Sequence, residues 1–199
     1  MAEWLTKNEL PKSIVTDSGN AYAVDTDFRA WIRFQEIIED RNILDNFKAL
    51  FCARVVGLDT DAFDHESTEA LLNAMLAFFL CNKQPKQAEK QTSDIAYRYS
   101  EDWGLICAAF RQQYGINLLT ADMHWYYYKA LFDALTSDTL FVKVQQWRTT
   151  DINKLPKYER KEALRLKKYW KINDTQIVTQ KTPQEIEQEL LKKVGDAHG

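Results

Sequence analysis

Glycine, cysteine and histidine are scarce in this 199-residue chain, and each scarcity excludes a class of site. The 6 glycines are scattered, so there is no glycine-rich phosphate loop followed by Lys and Ser or Thr, and no dinucleotide-binding fingerprint. The 3 histidines are isolated from one another and from the cysteines, so no zinc-ligand spacing appears. No serine lies in a nucleophile-elbow sequence. We therefore expect a non-enzymatic protein with no metal and no cofactor.

The cysteines and the apolar runs indicate the cellular compartment in which we expect the protein. Cys52, Cys81 and Cys107 are odd in number, widely spaced and set in apolar runs, which is typical of buried free thiols in a reducing compartment. The longest apolar stretch, Ala74 to Cys81, is far too short to span a bilayer. The first residues lack a basic region followed by an apolar run, so we expect no signal peptide and a cytoplasmic protein.

The composition is that of a globular domain, with 45% hydrophobic and 28% charged residues. The length suits one domain and is sufficient to bury a core. Charge is uneven along the chain. Residues 1–80 hold 14 Asp and Glu against 7 Lys and Arg, whereas residues 151–199 hold 8 against 11. An acidic N-terminal part and a basic C-terminal part suit head-to-tail contact between copies of the chain. They also suit an acidic partner for the basic C-terminal part.

Two central helices organise the predicted fold. In residues 100–114, Trp103, Ile106 and Phe110 recur at helical spacing, Ser100 is placed as the N-cap, and the helix is expected to stop at Gly115. The second central helix, with Thr120 as its predicted N-cap and an apolar stripe from Trp125 to Leu135, is expected to be buried between several partners.

The remaining elements complete a mainly α, single-domain prediction for residues 1–172, with one short β-hairpin at residues 14–24. A helix is expected to follow the cap at Thr26 or Asp27, with its stripe formed by Phe28, Trp31, Ile32, Gln35 and Ile38. Another is expected over residues 43–56, with Leu44, Phe47, Phe51 and Val55 facing inward and Gly57 at its end. Further helices are predicted at residues 66–81, from residue 137 and at 157–171. A polar linker is predicted at residues 82–94, and a C-terminal extension with a peripheral helix at residues 173–199.

Two polar features have simpler explanations than metal binding or catalysis. The acidic loop around Asp59, Asp61 and Asp64 fails the EF-hand pattern, because Asp64 stands at the position that needs glycine and Ala70 at the position that needs glutamate. We interpret the loop as a connection with helix-capping carboxylates. His124 lies beside Trp125 in an apolar segment without acidic residues at helical spacing, which favours a structural histidine.

One polar constellation has two interpretations: the basic helix within residues 154–171. Helical spacing places Tyr158, Ala163, Leu166, Tyr169 and Trp170 on one arc and seven Lys and Arg residues on the other. One interpretation is a surface helix docked by its aromatic edge, with a solvated basic face. The other is a contact surface for an acidic partner, with nucleic acid as one candidate. The acidic whole-chain balance, with a net charge of -3, argues against nucleic acid.

Five segments together resemble one protein family. They are VDTDFRAWIRF (Val24–Phe34), FFLCNK (Phe78–Lys83), AAFRQQYGINL (Ala108–Leu118), MHWYYYKALFDAL (Met123–Leu135) and WRTTDINKLPKYERKEALRLKKYW (Trp147–Trp170). In this order they resemble the bacteriophage gene-product-fifteen family of siphophages and prophages of Gram-positive hosts. The resemblance covers roughly Ile14 to Trp170, and residues 173–199 extend beyond it.

This resemblance implies a tail assembly chaperone. Such proteins keep the long tape-measure protein soluble during siphophage tail morphogenesis and help to recruit major tail protein. It also implies a protein of the host bacterial cytoplasm that is absent from the mature virion and has no catalytic residues to transfer. A homo-oligomer would present aromatic and basic surfaces repeatedly along such a partner.

The predicted partner-binding residues lie on the basic face of the 157–171 helix: Lys157, Arg160, Lys161, Arg165 and Lys168. Their long stems can cover apolar surface while their charged heads pair with carboxylates of the partner. The alternative function is that of a phage nucleic-acid-binding accessory protein that uses the basic helix 154–171.

Overall fold

A computed structural model describes residues 10–83 and 94–172. Its elements, in chain order, are β1 (Ser13–Val15), β2 (Ala21–Ala23), α1 (Phe28–Glu39), α2 (Asp45–Val55), α3 (Ala62–His65), α4 (Thr68–Phe79), α5 (Tyr99–Tyr114), α6 (Trp125–Asp133), α7 (Leu140–Thr149), a 3₁₀ turn (Ile152–Lys154) and α8 (Lys157–Tyr169). The prediction of a mainly α fold with one short N-terminal hairpin is confirmed.

The hairpin is held against the helices by one carboxylate. Strands β1 and β2 pair antiparallel with Ile14 opposite Tyr22, and Ile14 is buried in the main core. Glu66, between α3 and α4, accepts hydrogen bonds from Thr16 at 2.8 Å, Asn20 at 2.7 Å and Ser18. These hydrogen bonds lower the pKa of Glu66, which therefore stays ionised at neutral pH. A two-stranded hairpin is marginal alone, so this contact helps to hold it in place.

Helices α1 and α6 begin side by side. Asp27 caps α1 through the Arg29 N–H, and His124 caps α6 through the Tyr126 N–H. The two caps pair as an antiparallel β-bridge, in which the N–H of Trp125 donates to the Thr26 carbonyl at 2.7 Å. The start of each helix is therefore fixed by the start of the other.

Stacked aromatic rings form the centre of the core. Tyr128 lies between Phe28 and Phe110, with ring centroids at 4.7 Å and 5.2 Å and nearly parallel planes. Trp31 stacks on Phe78 with centroids 4.4 Å apart, and its indole N–H donates to the Asp25 carbonyl at 2.7 Å. The rings come from α1, α4, α5 and α6, so these helices share one core. Offset stacking adds to the free energy gained from burying such large side chains.

Several predicted boundaries differ from the structure. Helix α5 begins at Tyr99, so Ser100 lies in its first turn and is not its N-cap. Helix α6 begins at Trp125, five residues after the predicted N-cap Thr120, because His124 supplies the capping nitrogen. A short helix, α3, occupies part of the acidic loop. The left-handed stop at Gly115 is confirmed, with φ of 71°.

Helix α2 turns the opposite face to the core from the one predicted. Its buried residues are small: Ala49, Cys52 and Ala53. Of the four residues predicted to face inward, Leu44, Phe47 and Phe51 are exposed, whereas Val55 is partly buried against the core. Small side chains let α2 approach its neighbours α1 and α4 closely, and this packing decides which face is buried.

Two predicted segments lie wholly or mainly outside the described residues: the polar linker at 82–94 and the extension at 173–199. Among the helices of the described part of the chain, none combines the length and the apolar character that crossing a bilayer requires. Cys52 and Cys81 are buried free thiols, as predicted, whereas Cys107 is half-buried.

Candidate partner-binding surfaces

A buried ion pair positions the C-terminal end of α8. Arg148 of α7 donates two hydrogen bonds to the Asp102 carboxylate of α5, at 2.6 Å and 2.9 Å, and both side chains are buried. Arg148 also donates to the carbonyls of Ala96, at 3.1 Å, and Trp170, at 2.6 Å. One guanidinium therefore joins α5, α7, the segment that precedes α5 and the residue that ends α8. Asp102 in turn accepts from the Arg98 N–H at 3.0 Å, which satisfies a backbone donor at the start of α5.

One lysine and a stacked pair of tryptophans add to this attachment of α8. Lys167 donates to the Asp94 carboxylate at 2.8 Å and to the Thr150 carbonyl at 2.9 Å. The rings of Trp147 and Trp170 stack with centroids 6.2 Å apart. Helix α8 itself contains no fully buried residue, so these contacts at its C-terminal end hold a helix that is otherwise largely exposed.

Arg160 differs from the other predicted site residues. It is half-buried, and its guanidinium donates to the carbonyls of Leu155, at 2.8 Å, and Asn153, at 2.9 Å. Arg160 therefore fixes the turn that leads into α8, and its charge is directed at this chain's own backbone. The remaining predicted residues, Lys157, Lys161, Arg165 and Lys168, are exposed. Arg165 forms an ion pair with Glu162 at 2.5 Å.

The two tyrosines of α8 also lie differently from the prediction. Tyr158 and Tyr169 were expected to face inward, but their exposed fractions are 82% and 76%. Ala163, Leu166 and Trp170 face inward, together with Arg160 and Lys167. The outward surface, which we call the α8 face, therefore mixes basic and aromatic side chains: Lys157, Tyr158, Lys161, Arg165, Lys168 and Tyr169.

A second surface was missed in the sequence. The outward side of α2 presents four large apolar side chains, Leu44, Phe47, Leu50 and Phe51, which we call the α2 face. Their exposed fractions run from 42% to 56%, and the rings of Phe47 and Phe51 stack with centroids 6.3 Å apart. A contiguous cluster of exposed large apolar side chains commonly marks an interaction site. The available signal was the presence of apolar residues on both sides of this helix.

The remaining reactive side chains of the described regions are cysteines. Burial raises the pKa of the Cys52 thiol to about 12 and that of Cys81 to about 11, so both are protonated at neutral pH. His124 is committed to structure, because its Nδ1 accepts from the Tyr126 N–H and its Nε2 donates to the Pro11 carbonyl at 2.8 Å. Across residues 10–83 and 94–172, no group of three or more His, Cys, Asp or Glu could hold a metal ion.

Comparisons with known proteins identify the family. Neither the curated proteins nor the solved structures contain a match to this chain. The sequence model of the family described as Bacteriophage Gp15 protein matches residues 7–172. This span contains both candidate surfaces and both sides of the buried Asp102–Arg148 pair. The match covers well over half of the chain, which is therefore a member of the bacteriophage Gp15 protein family.

Proposed function

We propose that this phage protein is a tail assembly chaperone that binds the tape-measure protein during siphophage tail morphogenesis and acts without catalysis. The observation that carries the proposal is the α8 face. Its basic residues stand beside two tyrosines that are more than three-quarters exposed. Tyrosine and arginine are enriched where proteins bind proteins, and exposed tyrosines supply large contact area at a small cost in conformational entropy.

The chemistry of this face suits an amphipathic helix with acidic flanks. Lysine stems cover apolar side chains, while their ammonium groups pair with carboxylates beside the apolar stripe. Tyr158 and Tyr169 are eleven residues apart, about three helical turns, so the face is long enough to follow a partner helix. A long helical tape-measure protein offers many such segments. Major tail protein is a further partner in this proposal, which places the protein in the host cytoplasm and outside the finished virion.

Co-expression with the tape-measure protein of the same phage tests the proposal. We expect tape-measure protein to be recovered in the soluble fraction and to co-purify with this chain. Expression of tape-measure protein alone is the first control, and co-expression with an unrelated acidic protein of similar size is the second. If tape-measure protein stays equally insoluble in all three cultures, the chaperone proposal fails.

Nucleic acid is the second candidate partner, because the same α8 face interleaves exposed tyrosines with lysines. Aromatic rings can stack on bases while cations contact phosphates. Binding through phosphates would weaken steeply as salt increases. A mobility-shift titration with single- and double-stranded DNA and RNA decides this case, since the absence of any complex at low salt removes it.

A further inference from the structure

A groove lies beside the C-terminal part of α8, at the edge of the α8 face. It has a volume of about 500 Å³ and lies between α8 and the residues that precede α5. Three aliphatic residues line it: Ile95, which is half-buried, Leu164, which is exposed, and Ile172, which is buried. Lys168, which belongs to the α8 face, also lines the groove. The groove therefore offers aliphatic surface next to the basic and aromatic side chains of that face.

Two lysines give the groove positive charge that is not neutralised. Lys168 and Lys171 line it, are exposed and form no ion pair in the described part of the chain. The other charged residues of the lining are already paired. An apolar groove with free cations at its edge suits an occupant whose apolar side chains are flanked by carboxylates.

One segment of this chain has the matching pattern of apolar and acidic residues. The capping box at Thr182 begins the helix predicted in the C-terminal extension, and Ile186 and Leu190 lie about one turn apart on it. At about 100° per residue, Glu187 lies on one side of this apolar pair and Glu189 on the other. The predicted helix can therefore place its apolar pair on aliphatic surface while carboxylates on both sides reach nearby cations.

The same segment is joined to the groove. The extension, which lies outside the described residues, follows directly from Ile172, and ten residues separate Ile172 from Pro183. A connection of this length can turn back onto the groove at a modest cost in loop-closure entropy. Residues 84–93 adjoin the groove through Asp94, but they hold two lysines against one glutamate and no apolar residue larger than proline. They therefore lack the complementary chemistry.

We propose that residues 183–194 bind the groove of the same chain as an amphipathic helix. Ile186 and Leu190 contact the three aliphatic residues of the groove, and the flanking glutamates pair with its two free lysines. The occupant is this segment because it is joined to the groove and matches both the apolar lining and the charge. A bound segment covers Lys168 of the α8 face, so a client that uses this lysine has to displace it. This competition rests on the function proposed above, whereas the contact itself does not.

Hydrogen–deuterium exchange of the full chain tests the contact. A helix of 12 residues is marginal in water by itself, so the amides of residues 187–194 are protected only if the segment is bound. We expect these amides to exchange at least tenfold more slowly than those of an unstructured chain of the same sequence. The protection should not depend on protein concentration, because groove and segment belong to one chain. Exchange at the unstructured rate, or protection that increases with protein concentration, overturns the proposal.

Paired variants locate the contact. Leu164→Asp places a charge in the groove and Ile186→Asp places one in the apolar pair, so each should remove most of the protection. Tyr158→Asp changes an exposed position of α8 outside the groove, and Gln188→Asp changes the opposite side of the predicted helix. Both controls should retain the protection, and circular dichroism confirms that all four variants are folded. Protection that survives Leu164→Asp and Ile186→Asp, or an equal loss in the controls, overturns the proposal.

A charge exchange tests the pairing of carboxylates with lysines. Lys168→Glu with Lys171→Glu should lower the protection roughly three- to tenfold, and so should Glu187→Lys with Glu189→Lys. A chain with all four substitutions restores opposite charges and should recover most of the protection. If it is as poorly protected as the two double variants, the charge pairing is wrong. These measurements contain no tape-measure protein, so their outcome is separate from that of the co-expression experiment.

Discussion

At the residue scale, His124 shows how a titratable group can serve as a helix cap. The Tyr126 N–H needs an acceptor, so Nδ1 of His124 must be unprotonated and the proton resides on Nε2, which donates to Pro11. Burial, which is the larger effect, lowers the pKa of this imidazole. Protonation of Nδ1 would remove the cap of α6 and leave the start of a core helix without it.

The cap predicts a pH dependence. The folded-state pKa of His124 lies below its ordinary value near 6.5, so its contribution to stability is complete above about pH 6.5 and is lost as pH falls through the folded pKa. His124→Asn retains a capping acceptor but does not titrate. We expect the free energy of unfolding, measured in urea from pH 7 to pH 5, to fall more in the wild type than in this variant.

Two comparisons complete the test. His124→Ala, which lacks any capping group, should lose about 1–2 kcal/mol at neutral pH. Parallel pH curves for the wild type and His124→Asn would contradict the assignment of the capping nitrogen.

The second prediction at the residue scale concerns Arg148. Removal of one partner of a buried ion pair leaves the other charge buried and unpaired, so Arg148→Met should lower the free energy of unfolding by about 3–5 kcal/mol. Adding Asp102→Asn removes that charge but keeps an oxygen for the Arg98 N–H, and should recover part of the loss. Urea unfolding of the two single variants and the double variant measures the coupling. Additive losses would show that the pair is not coupled.

At the element scale, the sequence predicted where the helices lie. It predicted which side of a helix is buried only where the other side is polar. The predicted face of α1 is confirmed, because Phe28, Trp31 and Ile32 alternate with polar positions and are buried. In α2 both sides carry apolar residues, so helical spacing did not decide that Phe47 and Phe51 face outward. The structure buries alanines and a cysteine because α1 and α4 lie close to this helix, a constraint set by distant parts of the chain.

The α8 face shows the same limit for charged residues. Helical spacing identified the helix and its basic side, but not that Arg160 donates to the carbonyls of Asn153 and Leu155. This contact and that of Lys167 turn the helix so that two cations face inward and Tyr158 and Tyr169 face outward. Hydrogen bonds and ion pairs of polar side chains leave no trace in a hydrophobic pattern, so the buried Asp102–Arg148 pair was missed as well.

A pair of substitutions in α2 tests which face is buried. Phe47→Gln on the outward side should change the free energy of unfolding by less than about 1 kcal/mol, because surface substitutions rarely cost more. Ala53→Leu on the inward side should destabilise by about 1–3 kcal/mol, because the added carbons overpack the contact with neighbouring helices. Thermal and urea unfolding at low protein concentration provide both values. The reverse order would restore the face predicted from the sequence.

At the scale of the whole molecule, the aromatic core holds the helices together, and two exposed surfaces lie outside it. The stacked rings of α1, α4, α5 and α6 fix the core, while α8 and the outward side of α2 project from it. The proposed client meets the α8 face.

The most direct test of the chaperone proposal compares two triple variants in binding to tape-measure protein. Lys157→Glu, Lys161→Glu and Lys168→Glu reverse three exposed charges of the α8 face and leave Arg160 in place. The matched control reverses three exposed lysines elsewhere, by Lys12→Glu, Lys83→Glu and Lys143→Glu, with the same change in net charge.

The affinity of each variant for purified tape-measure protein, measured at low and at high ionic strength, shows whether the α8 face binds this partner. The α8 variant should bind roughly ten- to hundredfold more weakly at low salt, with a smaller loss at high salt, because screening already weakens these contacts. The control should bind like the wild type. Equal affinity of all three proteins at low salt, or an equal loss in both variants, would contradict the claim that the α8 face binds the tape-measure protein.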